Sequence, residues 1–101
     1  MNMKVLGSEI CSGCREFKQL ADERGLDTEF IEITQDVASL RMFLQLRDRE
    51  PVFDQIRREG RIGIPCFVRE DGAVTLDLNE ALGWIGQPPY EAPDTGCASC
   101  K

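Results

Sequence analysis

Met3-Lys4-Val5-Leu6-Gly7-Ser8-Glu9-Ile10-Cys11-Ser12-Gly13-Cys14-Arg15 is the stretch that decides the reading of this chain. Met3 to Leu6 is a short apolar run and reads as a strand, which delivers Cys11 to a loop. From Cys14 to Arg24, Phe17, Leu20 and Ala21 line one face while charged residues take the other, which predicts a helix that stops at Gly25. A thiolate at Cys11 therefore faces the N–H groups and positive end of a helix, which stabilise it. Cys14 lies one turn further on, within reach of Cys11, so the pair can open and close a disulfide with little backbone movement. The same CxxC spacing serves zinc ribbons and iron–sulfur sites, but a zinc ribbon usually carries its first pair on a tight knuckle between short strands. The strand–CxxC–helix context favours thiol–disulfide chemistry.

Composition narrows the chemistry further. The chain has 101 residues and one domain's worth of core, with 42% hydrophobic residues and a net charge of −6. Acidic balance with mixed charges argues against nucleic acid or an anionic membrane as partner. Met1 to Ser8 is too short and polar for a signal sequence, and no apolar run approaches membrane length, so a cytoplasmic location is expected. In a reducing compartment five cysteines are poor structural staples. The chain holds no histidine, which removes Cys–His catalysis and mixed Cys/His metal sites. Thiol exchange needs no histidine once the thiolate is stabilised.

Beyond the first helix, Thr28 to Ile33 reads as a second strand. Asp36 to Arg49 reads as a helix with Val37, Leu40, Phe43 and Leu44 as its apolar stripe. A short helix follows from Pro51, with Val52, Phe53 and Ile56 as its inner face and Gly60 as its stop. Cys66 to Arg69 and Ala73 to Leu76 form two strands joined by a two-residue turn at Asp71-Gly72. A last helix spans about Leu78 to Ile85, with Asp77 as its cap. The order predicts an α/β fold: a mixed four-stranded sheet with helices on both faces, parallel between the first two strands. The domain is placed at residues 1–86, with 87–101 as a flexible tail rich in proline and poor in apolar residues.

Cys11/Cys14, the Phe30-Ile31-Glu32-Ile33-Thr34 strand end, Gly63-Ile64-Pro65 and the Asp71-Gly72 hairpin fall in an order that resembles the thioredoxin superfamily, and within it the small glutaredoxin-related proteins of bacteria. The resemblance covers about Met3 to Ile85. It implies a thioredoxin-like fold, a cis bond before Pro65, and a groove in which the Ile64 backbone and Pro65 meet the substrate, with Asp77 near the region that receives glutathione. Ser8 stands where glutaredoxins carry a lysine, and Thr75-Leu76 where they carry two glycines, so glutathione binding is expected to be weak.

Cys97-Ala98-Ser99-Cys100 is a second CxxC. It reads as an auxiliary redox pair, as an accessory without a fixed task, or as half of a metal site. Cys66, in an apolar strand, reads as a buried thiol. The functional expectation is a monomeric dithiol–disulfide oxidoreductase. In it Cys11 attacks, Cys14 resolves, and Ile64, Pro65 and Asp77 bind a protein or small-molecule disulfide. No resident cofactor is expected, and either glutathione or a thioredoxin-reductase-type donor supplies electrons. The alternative is a zinc or iron–sulfur protein that uses Cys11, Cys14, Cys97 and Cys100.

Overall fold

The computed structural model describes residues 3–90. Four strands, β1 (Met3–Gly7), β2 (Thr28–Glu32), β3 (Cys66–Arg69) and β4 (Val74–Thr75), form one open sheet in the order β2-β1-β3-β4. β1 is central. It runs parallel to β2, in register from Met3 opposite Thr28 to Gly7 opposite Glu32, and antiparallel to β3, with Leu6 opposite Cys66. The helices are α1 (Ser12–Arg24), α2 (Val37–Arg49), α3 (Asp54–Glu59) and α4 (Leu78–Trp84), with a 3₁₀ turn over Pro51–Phe53 leading into α3. The molecule is thus an α/β protein with a mixed four-stranded sheet.

Side-chain alternation along β1 splits the core in two. Met3 and Val5 join Phe17 of α1, Phe67 of β3 and Ala81 of α4 on one face. Leu6 joins Phe43 of α2, Phe53, Ile56 of α3 and Cys66 on the other. Phe17 meets Phe67 edge to face at 5.2 Å, and Phe43 meets Phe53 likewise at 5.9 Å. Helices therefore cover both faces.

Five local expectations are corrected. α1 begins at Ser12, with Cys11 as its N-cap, rather than at Cys14. Asp36 is the N-cap of α2, and its carboxylate accepts from the Ser39 N–H at 2.7 Å. The inner stripe of α2 is Ser39, Phe43 and half-buried Leu46, whereas Val37 is 68% exposed and Leu40 and Leu44 are each 40% exposed. The outer stripe Val37, Leu40 and Leu44 lies one residue away, a rotation of about 100°, and is the more apolar of the two because the inner one includes Ser39, so periodicity alone favours the wrong face. Val52 likewise lies outward while Phe53 is fully buried. The β3–β4 turn holds three residues, not two. Arg69 N–H bonds to Ala73 O, Gly72 N–H bonds to Arg69 O, and Gly72 has φ +94°, the geometry of a type I turn closed by a glycine bulge.

No helix among the described residues is long and apolar enough to cross a membrane.

Candidate dithiol site

Two elements of the sequence position the cysteines. The end of β1 turns through Ser8 to Ile10, and Cys11 N–H donates to Ser8 O at 3.0 Å. Cys11 then caps α1 in extended conformation, with φ −99° and ψ 126°, and its carbonyl accepts from Arg15 N–H at 3.1 Å. Its side chain is half-buried, at the positive end of a 13-residue helix. Cys14, two residues into α1, is fully buried. Neither is in a disulfide. Burial first, and then the neighbouring Cys11, push the Cys14 thiol up to about 12, although a hydrogen bond from the Ser8 backbone opposes the shift. The pair is asymmetric: one thiol meets solvent, the other is held protonated inside.

Gly7 makes the room for Cys14. A Cβ on Gly7 would stand 2.6 Å from Cys14 Sγ and 3.3 Å from Phe30 Cζ. Gly7→Ala is therefore expected to destabilise the protein by about 1–3 kcal/mol, as overpacking does. The loss should shrink in a Cys14→Ala background, which removes the sulfur. Denaturant midpoints of the two single variants and the double variant check this; three additive values would contradict it.

The loop before Cys11 is braced from β2. The Glu32 carboxylate accepts from Glu9 N–H at 2.9 Å, from Thr34 N–H at 3.3 Å and from the Thr34 hydroxyl. These bonds, that of Thr34 first, hold the Glu32 carboxyl down at about 2. Ser8 Oγ is buried, lies 3.3 Å from Thr34 Oγ1, and accepts from Ile10 N–H at 3.3 Å. Ser8 thus supports the loop from inside. The Glu9 carboxylate pairs with Lys18 at 2.5 Å. Ile10, beside Cys11, is 82% exposed.

Ile64 reaches the same cluster as Cys14 and Cys66, with Cys11 packed against its edge. The Ile64–Pro65 bond is cis, and Pro65 is half-buried at the start of β3. The segment before it is held on two sides. Gly63, at φ +93°, lies so close to Phe53 that a Cβ would stand 2.6 Å from its ring. Arg47 donates to Arg61 O at 2.6 Å and to Ile62 O at 3.1 Å. Arg57 in turn donates to Arg47 O and Glu50 O, which binds the C-terminal end of α2, and it pairs with Asp54. Nothing in the sequence pattern marks Glu32, Arg47 or Arg57 for these tasks. A carboxylate or guanidinium that binds backbone far along the chain leaves no local pattern.

Asp77 is an N-cap: its carboxylate accepts from Asn79 N–H at 2.9 Å. Thr75 is buried. Among the described residues no group of three or more His, Cys, Asp or Glu side chains is arranged to hold a metal ion. Cys97 and Cys100 lie outside the described residues. The clefts beside α2 and at the far end of β3, one lined by Lys4, Met42 and Arg49 and the other by Lys4, Glu29 and Gly72, include no cysteine.

Cys66 is fully buried, and burial pushes its thiol up from 9.0 to about 12. A thiol raised by folding stabilises the protein fully below its unfolded value and loses that contribution as pH rises toward the folded one. Cys14 behaves alike. Stability of the reduced protein is therefore expected to fall between about pH 9 and 12 with the release of two protons. With Cys14 locked in a disulfide the slope should drop to that of one. Urea midpoints between pH 8 and 11 for both redox forms test this, and identical alkaline limbs would contradict it.

No family model matches the chain, and no solved structure matches it. A Haemophilus influenzae protein described as an uncharacterized protein is 33% identical to it over 73 residues, which cover 72% of this chain and 85% of the relative. The chain belongs to the same family as that protein of Haemophilus influenzae.

Proposed function

We propose that the chain is a dithiol–disulfide oxidoreductase with a thioredoxin-like, glutaredoxin-related fold. The asymmetry of the dithiol carries the reading: Cys11 is accessible at a helix cap, and Cys14 is buried one turn behind it. Cys11, as thiolate, attacks one sulfur of a substrate disulfide and expels the other as a thiolate. Cys14 then gives up its proton and attacks Cys11 Sγ, which releases the second substrate thiol and leaves a Cys11–Cys14 disulfide. Two electrons pass to the substrate, which leaves as two thiols. Burial keeps Cys14 protonated, so it does not compete with Cys11 for the first attack.

Ile64 shares the buried cluster of Cys14, against which Cys11 packs; Pro65 follows Ile64, and Ile10, next to Cys11 in the chain, is exposed. These residues are the surface on which a disulfide-bearing protein or small molecule would rest. Asp77, capping α4, stands as the second binding candidate. Glutathione, or a reductase of the thioredoxin-reductase type, returns the dithiol to its reduced form.

A reductase assay run in parallel with these two donors tests the function. Turnover of a small disulfide with either donor is the expected result. The inward-turned Ser8 and buried Thr75 supply no cation or open backbone for glutathione, so saturation is expected well above micromolar concentration. Absence of turnover with both donors would overturn the reading.

A further inference from the structure

The chain stays on the domain after α4. Gln87 N–H donates to Leu82 O at 2.9 Å, Arg24 Nη1 donates to Pro88 O at 2.8 Å, and Tyr90 N–H donates to Asn79 Oδ1 at 2.9 Å. The Tyr90 hydroxyl lies 3.3 Å from Glu16 Oε1. Burial and then the Glu16 carboxylate raise the Tyr90 hydroxyl above its ordinary value, so it stays a donor to Glu16. Arg24 ends α1, whereas Glu16 lies in its N-terminal half. Between Pro88 and Tyr90 the strap therefore passes from partners at the far end of α1 to partners near its redox end. Glu16 follows Cys11 by five residues, about 7.5 Å along the helix axis.

Cys97 follows Tyr90 by seven residues and Cys100 by ten. Seven residues span at most about 25 Å, on a molecule whose extents are 31 × 31 × 25 Å. The strap thus starts the second CxxC within reach of Cys11 and not at a remote end. A short tether of this kind raises the effective concentration of one thiol pair at the other to about the millimolar range.

We infer that Cys97 and Cys100 are an internal dithiol that reduces the Cys11–Cys14 disulfide left by each turnover. The inference rests on the proposed function of Cys11 and Cys14. One tail thiolate attacks Cys11 Sγ, the Cys11–Cys14 bond breaks, and Cys14 leaves as a thiolate that takes up a proton. The second tail thiol loses its proton and attacks the tail sulfur of the mixed bond, and Cys11 leaves as a thiolate. Two electrons have moved from the tail to the site, and the tail holds the disulfide. An external thiol or dithiol donor reduces it in turn.

The full chain tests this. One equivalent of a small aromatic disulfide is added to reduced protein, and the reaction is acid-quenched at intervals for peptide mapping. The Cys11–Cys14 disulfide is expected first, followed by transfer to Cys97–Cys100 at a rate independent of protein concentration over a tenfold range. Cys14→Ser should accumulate a monomeric disulfide between Cys11 and a tail cysteine. Tyr90→Ala combined with Asn79→Ala and Arg24→Ala removes the contacts at Pro88 and Tyr90, moves the last anchor back to Gln87, and should slow the exchange by about twofold.

A disulfide that stays on Cys11–Cys14 would overturn the inference. So would a rate proportional to protein concentration, a rate untouched by the triple change that removes the strap's contacts at Pro88 and Tyr90, or tail thiols that arrive bound to zinc or iron and do not exchange. A Cys97→Ser/Cys100→Ser chain separates the two readings. Its turnover, without exchange in the native chain, would remove only the tail's role; loss of turnover in both chains would remove the proposed function itself.

Discussion

Cys11→Ser is expected to abolish disulfide reduction, by on the order of 10³-fold or more, as removal of an attacking nucleophile does. A serine hydroxyl at the helix cap has no anion to offer near neutral pH, and the only other described thiols, Cys14 and Cys66, are buried and raised to about 12. Cys14→Ser should behave differently. With Cys97 and Cys100 also replaced by serine, it should make the first attack at a near-native rate and then stop after one turnover. A stopped assay that counts released thiol per protein distinguishes the two. Full turnover by Cys11→Ser would contradict the assignment.

Phe53→Ala is expected to cost about 3–5 kcal/mol, the usual range for emptying a buried aromatic site, out of a total of roughly 5–15 kcal/mol for a domain. Phe53 is fully buried, meets Phe43 edge to face, and is the surface on which Gly63 rests. Its loss should therefore also loosen the approach to Ile64 and Pro65 and lower the rate of reduction in whatever fraction remains folded. Denaturant unfolding, with a rate measurement at low temperature, tests both parts. A loss below about 1 kcal/mol would show that the Pro51–Glu59 excursion is a surface ornament and not part of the core.

The sheet and its helices were legible because their signals are local. The apolar run of Met3 to Leu6, the glycine stop at Gly25 and the cap at Asp77 each follow from a few neighbouring residues, and the structure holds all three. Cys11 and Cys14 were legible as a pair because the helix N-terminus after them explains their spacing. Three things were not legible. The inner face of α2 was hidden because Val37, Leu40 and Leu44 offer a second apolar stripe one residue away from Phe43. The need for glycine at position 7 depends on Cys14, seven residues along and brought back by the α1 turn. The braces made by Glu32, Arg47 and Arg57 bind backbone atoms, which carry no sequence signature.

The most direct test of the central claim is to trap the first covalent step. A Cys14→Ser/Cys97→Ser/Cys100→Ser chain is mixed with a disulfide substrate, quenched in acid and digested, and the mixed disulfide is located by mass spectrometry. The expected result is one substrate adduct per chain, on Cys11, with Cys66 unmodified. An adduct on Cys66, or a chain that forms none, would contradict the account.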